Sequence, residues 1–121
     1  MDKRIVLVDD EEIILNTYCS LLGEEGYDVI TADSGSKALE MFYQQPFDLV
    51  ITDLAMMGED GLSLLEKIKT ISPATPLIVF TGTRSRVVNE FVHKLGAYAL
   101  IEKPCSNEYF ISYVRESLGL R

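Results

Sequence analysis

Short apolar runs alternate five times with longer stretches of helical period along this chain, and that alternation constrains the fold more than any single residue does. "RIVLVD" (4–9), "YDVITA" (27–32), "DLVITD" (48–53), "PLIVFT" (76–81) and "YALIEK" (98–103) read as strands. After each comes a segment whose apolar residues recur at helical spacing. "EEIILNTYCSLLGEEG" puts Ile14, Tyr18 and Leu21 or Leu22 on one face and stops near Gly23 or Gly26. A helix through "KALEMFYQQ" has Ser34 or Ser36 as its cap and Pro46 as its end. "GLSLLEKIKTIS" is expected to bury Leu62, Leu65 and Ile68 and to stop before Pro73. "RSRVVNEFVHKLG" gathers Val88, Phe91 or Val92, and Leu95, with Gly96 as its stop. "SNEYFISYVRESLG" buries Phe110, Val114 and Leu118.

The first, third and fourth strands are almost wholly apolar, as parallel strands covered on both faces must be. The second mixes polar and apolar residues, which predicts an edge. The architecture expected is a doubly wound three-layer α/β/α sandwich, spanning residues 1–121 as one domain. The hydrophobic fraction of 47% is enough for a packed interior. No apolar run approaches the roughly 20 residues of a membrane span, and "MDKRIVLVDD" lacks the long apolar stretch of a signal peptide. Cys19 and Cys105 form no metal-ligand spacing, so the reading is two reduced thiols in a cytoplasmic protein. A net charge of −8 repels nucleic acid and anionic membrane, so neither is expected as a partner of this domain.

Strands in a parallel sheet all point the same way, so residues that follow them share one edge, where ligands bind. Asp9 and Asp10, Asp53, Thr81 and Lys103 each follow an apolar run. Taken singly, each has a plain explanation. "DDEE" can cap a helix, Asp53 can begin a turn before "GEDG", Thr81 can simply end a strand, and Lys103 can be a surface lysine. As one cluster they make three carboxylates, a hydroxyl and an ammonium. Crowded carboxylates repel unless something positive joins them, and Mg²⁺ with its preference for oxygen ligands fits. A carboxylate is also a nucleophile toward phosphorus. Lys103 and the metal neutralise oxygen charge in such a transfer, and Thr81 donates a hydrogen bond to a phosphoryl oxygen.

The segments "LVDDE", "DLVITDLAMMGEDG", "IVFTG" and "GAYALIEKP" together resemble the response-regulator receiver domains of bacterial two-component signalling, over essentially the whole chain. The resemblance implies a flavodoxin-like sheet of strand order 2-1-3-4-5. It implies that Asp53 is phosphorylated by a phosphohistidine on a sensor histidine kinase or phosphotransfer protein. It further implies that Asp10 and Asp53 bind Mg²⁺ directly, Asp9 largely through water, and that the Ala55 carbonyl completes the protein's ligands. Thr81 and Lys103 take the switch and charge-partner positions. Such a protein is a signalling phosphoacceptor and not an enzyme in the ordinary sense, catalysing only its own phosphorylation and slow dephosphorylation. The resemblance also carries three structural expectations: a cis Lys103–Pro104 bond, a partner-binding or homodimer surface on the fourth helix, fifth strand and fifth helix (Arg84, Arg86, His93, Lys94, Tyr98, Tyr109, Tyr113), and a two-state switch at that surface.

Two positions depart from the family pattern. Met57 replaces a common proline, and Leu100 stands where many receivers have the aromatic ring of the switch, with Tyr98 two residues earlier and on the same face by period-two counting. The rival chemistries fit less well. A haloacid-dehalogenase-type phosphatase needs a second acid where Ala55 stands, and a flavin carrier needs a phosphate-cradling loop where this chain has "DDEE". A receiver reduced to an interaction module would not need the complete acid, hydroxyl and lysine set.

Overall fold

The strands sort their side chains by strict alternation, and that sorting builds two cores. In β1 (Arg4–Val8), Val6 and Val8 face one way and Ile5 and Leu7 the other. The same split divides Val50 from Leu49 and Ile51 in β3 (Leu49–Thr52), Leu77 and Val79 from Ile78 and Phe80 in β4 (Leu77–Thr81), and Leu100 from Ile101 in β5 (Ala99–Glu102). Two buried faces on every inner strand require helices on both sides. A computed structural model describes residues 2–55, 61–82 and 85–120. In it, α2 (Gly35–Gln44), α3 (Gly61–Ile71) and α4 (Arg86–Lys94) cover one face, and α1 (Glu12–Glu24) and α5 (Asn107–Ser117) the other.

The sheet is all parallel, in the order β2-β1-β3-β4-β5, with β2 (Asp28–Ala32) at an edge as its mixed sequence predicts. The order reverses between β1 and β3, the place where open α/β sheets bind their ligands. Val8 pairs with Thr52, and Thr52 with Val79. The ladder continues one rung beyond the strands: the amides of Asp9, Asp53 and Lys103 donate to the carbonyls of Ala32, Val8 and Thr81 at 3.1, 3.1 and 2.8 Å. Backbone pairing thus carries those residues past the strand ends at fixed spacing.

Ser34, Ser85 and Ser106 cap α2, α4 and α5 by accepting from the amides of Lys37, Val88 and Tyr109. Such a cap is worth about 1 kcal/mol. Helix α1 begins after Glu11 without a side-chain cap of this kind. Gly26 and Gly96, at φ +92° and +105°, turn the chain after α1 and α4, in a conformation that favours glycine. Several core expectations shift. In α3, Leu64 is fully buried beside Leu65 and Ile68, while Leu62 is only half-buried at the rim. Leu118 is half-buried because it follows the last residue of α5. On α4 Val92 is buried and Phe91 is 48% exposed. Among the described residues, no helix is long and apolar enough to cross a membrane. The thiols of Cys19 and Cys105 are free and half-buried.

Candidate functional site

Two buried carboxylates share one half-buried ammonium at the C-terminal edge of the sheet. Asp9 and Asp53 are 1% and 6% exposed. Each holds its own loop with Oδ1: Asp9 accepts from the Glu11 amide at 2.9 Å, and Asp53 from the Leu54 and Ala55 amides at 2.7 and 3.3 Å. Each then presents Oδ2 to Lys103, whose Nζ lies 2.6 Å from Asp9 and 3.1 Å from Asp53. The local turns orient the acids, and the lysine bridges them across neighbouring strands. Asp53 does begin a turn, whereas Asp9 holds its own loop and no acid side chain caps α1; each of the two has a second oxygen left for other work.

Asp10 completes the cluster. It is exposed, and ligand oxygens of Asp9, Asp10 and Asp53 lie within 4.8 Å of one another. Three carboxylates against one ammonium leave a formal charge of −2 in this corner (−3 + 1). The donors are all oxygen, one of them open to solvent, which suits a hard divalent cation such as Mg²⁺. Burial works against the charge on Lys103, but its hydrogen bonds to Asp9 and Asp53 prevail and raise its pKa above the ordinary 10.5. Lys103 is thus a fixed positive charge at neutral pH.

Thr81 ends β4, 1% exposed, one residue beyond Phe80 and paired in register with Glu102, immediately before Lys103. The Lys103–Pro104 peptide is cis, as expected from the resemblance. Ala55 is exposed two residues past Asp53, with its amide on the Asp53 carboxylate. Met57 and Arg84 lie outside the described residues. Burial pushes the Cys105 thiol up, so it is a poor nucleophile despite its place after Pro104. A crevice of about 380 Å³ between the ends of α2 and α3 is lined by residues such as Phe42, Phe47 and Ile71 and carries no charged side chain. The ionisable cluster lies elsewhere.

Two residues in the site's frame carry no sequence signal of their own. A Cβ on Gly61 would lie 2.0 Å from the Asp53 carbonyl oxygen and 2.8 Å from Leu54 Cα, while the Gly61 amide donates to Leu54 at 3.1 Å. Only glycine lets the start of α3 close onto the backbone of Asp53. Phe80 lies directly under Lys103, with Nζ 5.5 Å from the ring centroid. Period-two counting would have aimed its ring to the side opposite Thr81, but nothing distinguishes it from the other apolar residues of its run.

The switch region departs from expectation at one point. Leu100 is buried on the α2–α3–α4 side, in the same cluster as Val79 and Val92. Tyr98 does not share its environment. It precedes β5, is 37% exposed, and is raised in pKa by partial burial first and then by a hydrogen bond to Glu116 on α5. Strand alternation does not govern a residue outside the strand, and Tyr98 leans to the helix on the other face.

A family model described as the response regulator receiver domain matches residues 5–115. An NtrX-like response regulator of Rickettsia bellii is 35% identical over 117 residues, covering 93% of this chain and 24% of the relative. The transcriptional regulatory protein GlrR of Escherichia coli K12 is 31% identical over 95% of this chain and 26% of its own length. The chain thus spans about a quarter of these curated relatives. Among solved structures, a CheY-like response regulator receiver domain protein of Methanospirillum hungatei superposes with a TM-score of 0.94 at 31% identity, covering 98% of this chain and 95% of that one. The beryllofluoride-activated NtrC4 receiver domain dimer gives 0.91 at 34% identity, covering 96% of each.

Proposed function

The chain belongs to the response regulator receiver domain family, and from that premise we propose that it accepts a phosphoryl group from a partner's phosphohistidine onto Asp53, in a Mg²⁺-dependent reaction. The observation that carries this reading is the ammonium of Lys103 bridging the inner oxygens of Asp9 and Asp53, with Asp10 alongside.

In the transfer, an Asp53 carboxylate oxygen forms a bond to phosphorus as the bond from phosphorus to the histidine nitrogen breaks, the electron pair leaving on the imidazole. Asp53 Oδ1 is engaged by backbone amides, so its geometry is set before the donor arrives. Asp9, Asp10 and Asp53, with the Ala55 carbonyl, would hold the metal, which when bound offsets the charge of the phosphoryl oxygens. Lys103 supplies a further positive charge beside Asp9 and Asp53, which are already out of bulk water, where it counts for more. Thr81, at the end of the adjacent strand, is the hydroxyl that turns toward the new dianion. Movement there vacates space under α4. Leu100 fills part of it without a polar tip, so this switch has a smaller gap between its two states than one with an aromatic ring.

The surface read as responding is α4, β5 and α5. Val87 and Phe91 on α4 and Tyr109 on α5 are exposed apolar groups, and the Tyr109 and Tyr113 rings pack 5.0 Å apart. Kinase docking or homodimerisation there is supported by that exposure. The NtrC4 receiver, by its description, is a dimer in the activated form. The unit proposed is residues 1–121, working in the cytoplasm, with the output residing in other domains or partners. A net charge of −8 argues against nucleic acid as this domain's own ligand.

The test is labelling by acetyl phosphate. The wild type should acquire a hydroxylamine-labile phosphoryl group only with Mg²⁺. Asp53→Asn should abolish it with the fold intact, and Asp10→Ala should remove metal binding and labelling together. Undiminished labelling of the asparagine variant, or full labelling in excess chelator, would overturn the assignment.

A further inference from the structure

Lys103 has a third neighbour that its two ion pairs do not explain. Its Nζ stands 5.5 Å from the centroid of the Phe80 ring, close enough for the ring's negative face to attract an ammonium. Phe80 is 1% exposed and cannot swing away. Its ring meets Tyr18 of α1 at 4.8 Å and 77°, and Phe110 of α5 at 4.9 Å and 52°. Tyr18 and Phe110 in turn lie 4.8 Å apart. Three rings from a strand and two helices therefore lock one another, in the edge-on and tilted arrangements that aromatic quadrupoles favour.

The need for such a floor follows from the geometry above it. Two hydrogen bonds, to Asp9 and Asp53, leave Nζ free to pivot about the line joining the two oxygens. The flexible four-carbon stem of lysine does little to stop that. A ring beneath the ammonium limits the pivot and favours the charged form. Bulk alone would not do this, because an aliphatic side chain of similar size fills the core but offers no negative face. The site is largely shielded from water, with the Lys103 side chain 13% exposed, which strengthens the attraction.

We propose that Phe80 is a positioning residue for Lys103, its ring holding the ammonium where it spans Asp9 and Asp53 and is poised for the phosphoryl oxygens. The proposal rests on the reading of Asp53 as the phosphoacceptor. It assigns Phe80 no contact with the phosphoryl group itself.

The test compares the whole chain as wild type, Phe80→Leu, Phe110→Leu, and a form with pentafluorophenylalanine at position 80. The fluorinated ring keeps its shape and reverses its quadrupole. Labelling by acetyl phosphate with Mg²⁺ should slow about fivefold in both position-80 forms, the size expected of a shielded cation–ring contact. Phe110→Leu removes one ring of the cluster without touching Lys103 and leaves Phe80 packed against Tyr18, so it should lose thermal stability and keep its labelling rate. Without any donor, the Lys103 side-chain resonances should carry the shielding of a ring face in the wild type and in Phe110→Leu, and lose it in Phe80→Leu. Wild-type labelling rates in both position-80 forms, equal slowing in Phe110→Leu, or Lys103 resonances indifferent to Phe80 would each overturn the proposal. If the wild type itself takes no label, the phosphoacceptor reading has failed, and the resonances alone decide whether Phe80 places Lys103.

Discussion

Two lysines reach inward at opposite ends of this sheet, and they are held in opposite ways. Lys103, at the C-terminal edge, meets two buried carboxylates, and its pKa is raised. Lys69, near the end of α3, meets the carbonyls of Thr75 and Pro73, the latter at 3.5 Å, and burial lowers its pKa. Its stem lies 3.3 Å from where a Cβ on Gly96 would be. Lys69 thus ties the loop before β4 to the turn before β5, with neutral partners only among the described residues. Where the fold needs a clamp, dipoles suffice. Where opposed charges are concentrated beyond structural need, with three acids around one cation, the arrangement is costly unless a ligand uses it. That difference separates the working end of the sheet from the supporting end.

The comparison breaks hardest at Lys103. Lys103→Met leaves Asp9 and Asp53 buried without their cation, and removing one member of a buried set is expensive. A loss of about 3 kcal/mol is expected in urea unfolding at neutral pH, together with most of the acetyl phosphate labelling. Added Mg²⁺ should restore more stability to this variant than it gives the wild type, because both cations answer the same carboxylates. The sign with pH is set by the raised pKa. The Lys103 contribution is fully present below the ordinary 10.5 and is lost as pH rises through the raised value, so wild type and variant should converge in strong base. Equal stability of the two at neutral pH would show that the bridge is not a stabilising element.

The asymmetry between the two ends also governs what could be read in advance. Parallel strands share an edge, so Asp9, Asp53, Thr81 and Lys103 are found by noting which polar residue follows each apolar run. That inference uses only chain direction, and the extended ladder through Asp9, Asp53 and Lys103 is its physical basis. Lys69 gave no such sign. "EKIKTIS" reads as a solvated helix end, and only the path of the following loop brings carbonyls to its ammonium. Gly61 and Phe80 were hidden for a similar reason. What singles them out is an Asp53 carbonyl that would lie 2.0 Å from any Cβ in one case and an overlying lysine in the other, both tertiary events. Tyr98 shows the limit of periodicity, since alternation ended with the strand one residue away.

A smaller effect is expected at Gly96. Its φ of +105° is strained for any residue with a Cβ, and that Cβ would press on the Lys69 stem. Gly96→Ala should cost about 1–2 kcal/mol. The neighbour here is the flexible middle of a side chain, so Lys69→Ala in the same chain, which removes that stem, should not remove the penalty, which belongs to the backbone. Labelling should be unchanged. If the double variant regains the stability lost by Gly96→Ala, contact and not φ is the cause.

The smallest effect is expected at Lys69 itself, and its sign is the sharper measurement. Methionine keeps most of the stem over Gly96 and loses only the ammonium. What is given up is hydrogen bonding to two carbonyls at the loop, and what is gained is relief from burying a charge. These nearly cancel, so Lys69→Met should cost no more than about 1 kcal/mol at neutral pH. The lowered pKa then fixes how that cost changes. A lysine whose folded pKa lies below its ordinary 10.5 binds fewer protons folded than unfolded between those values, so wild-type stability gains from it as pH rises through that window. Methionine has no such term. The advantage of wild type over Lys69→Met should therefore grow toward pH 10.5, while its advantage over Lys103→Met shrinks beyond that point. Denaturant midpoints of the three chains through the alkaline range test both slopes at once. Two slopes of the same sign would mean that the lysines are held alike, and the distinction drawn between the two ends of the sheet would fall.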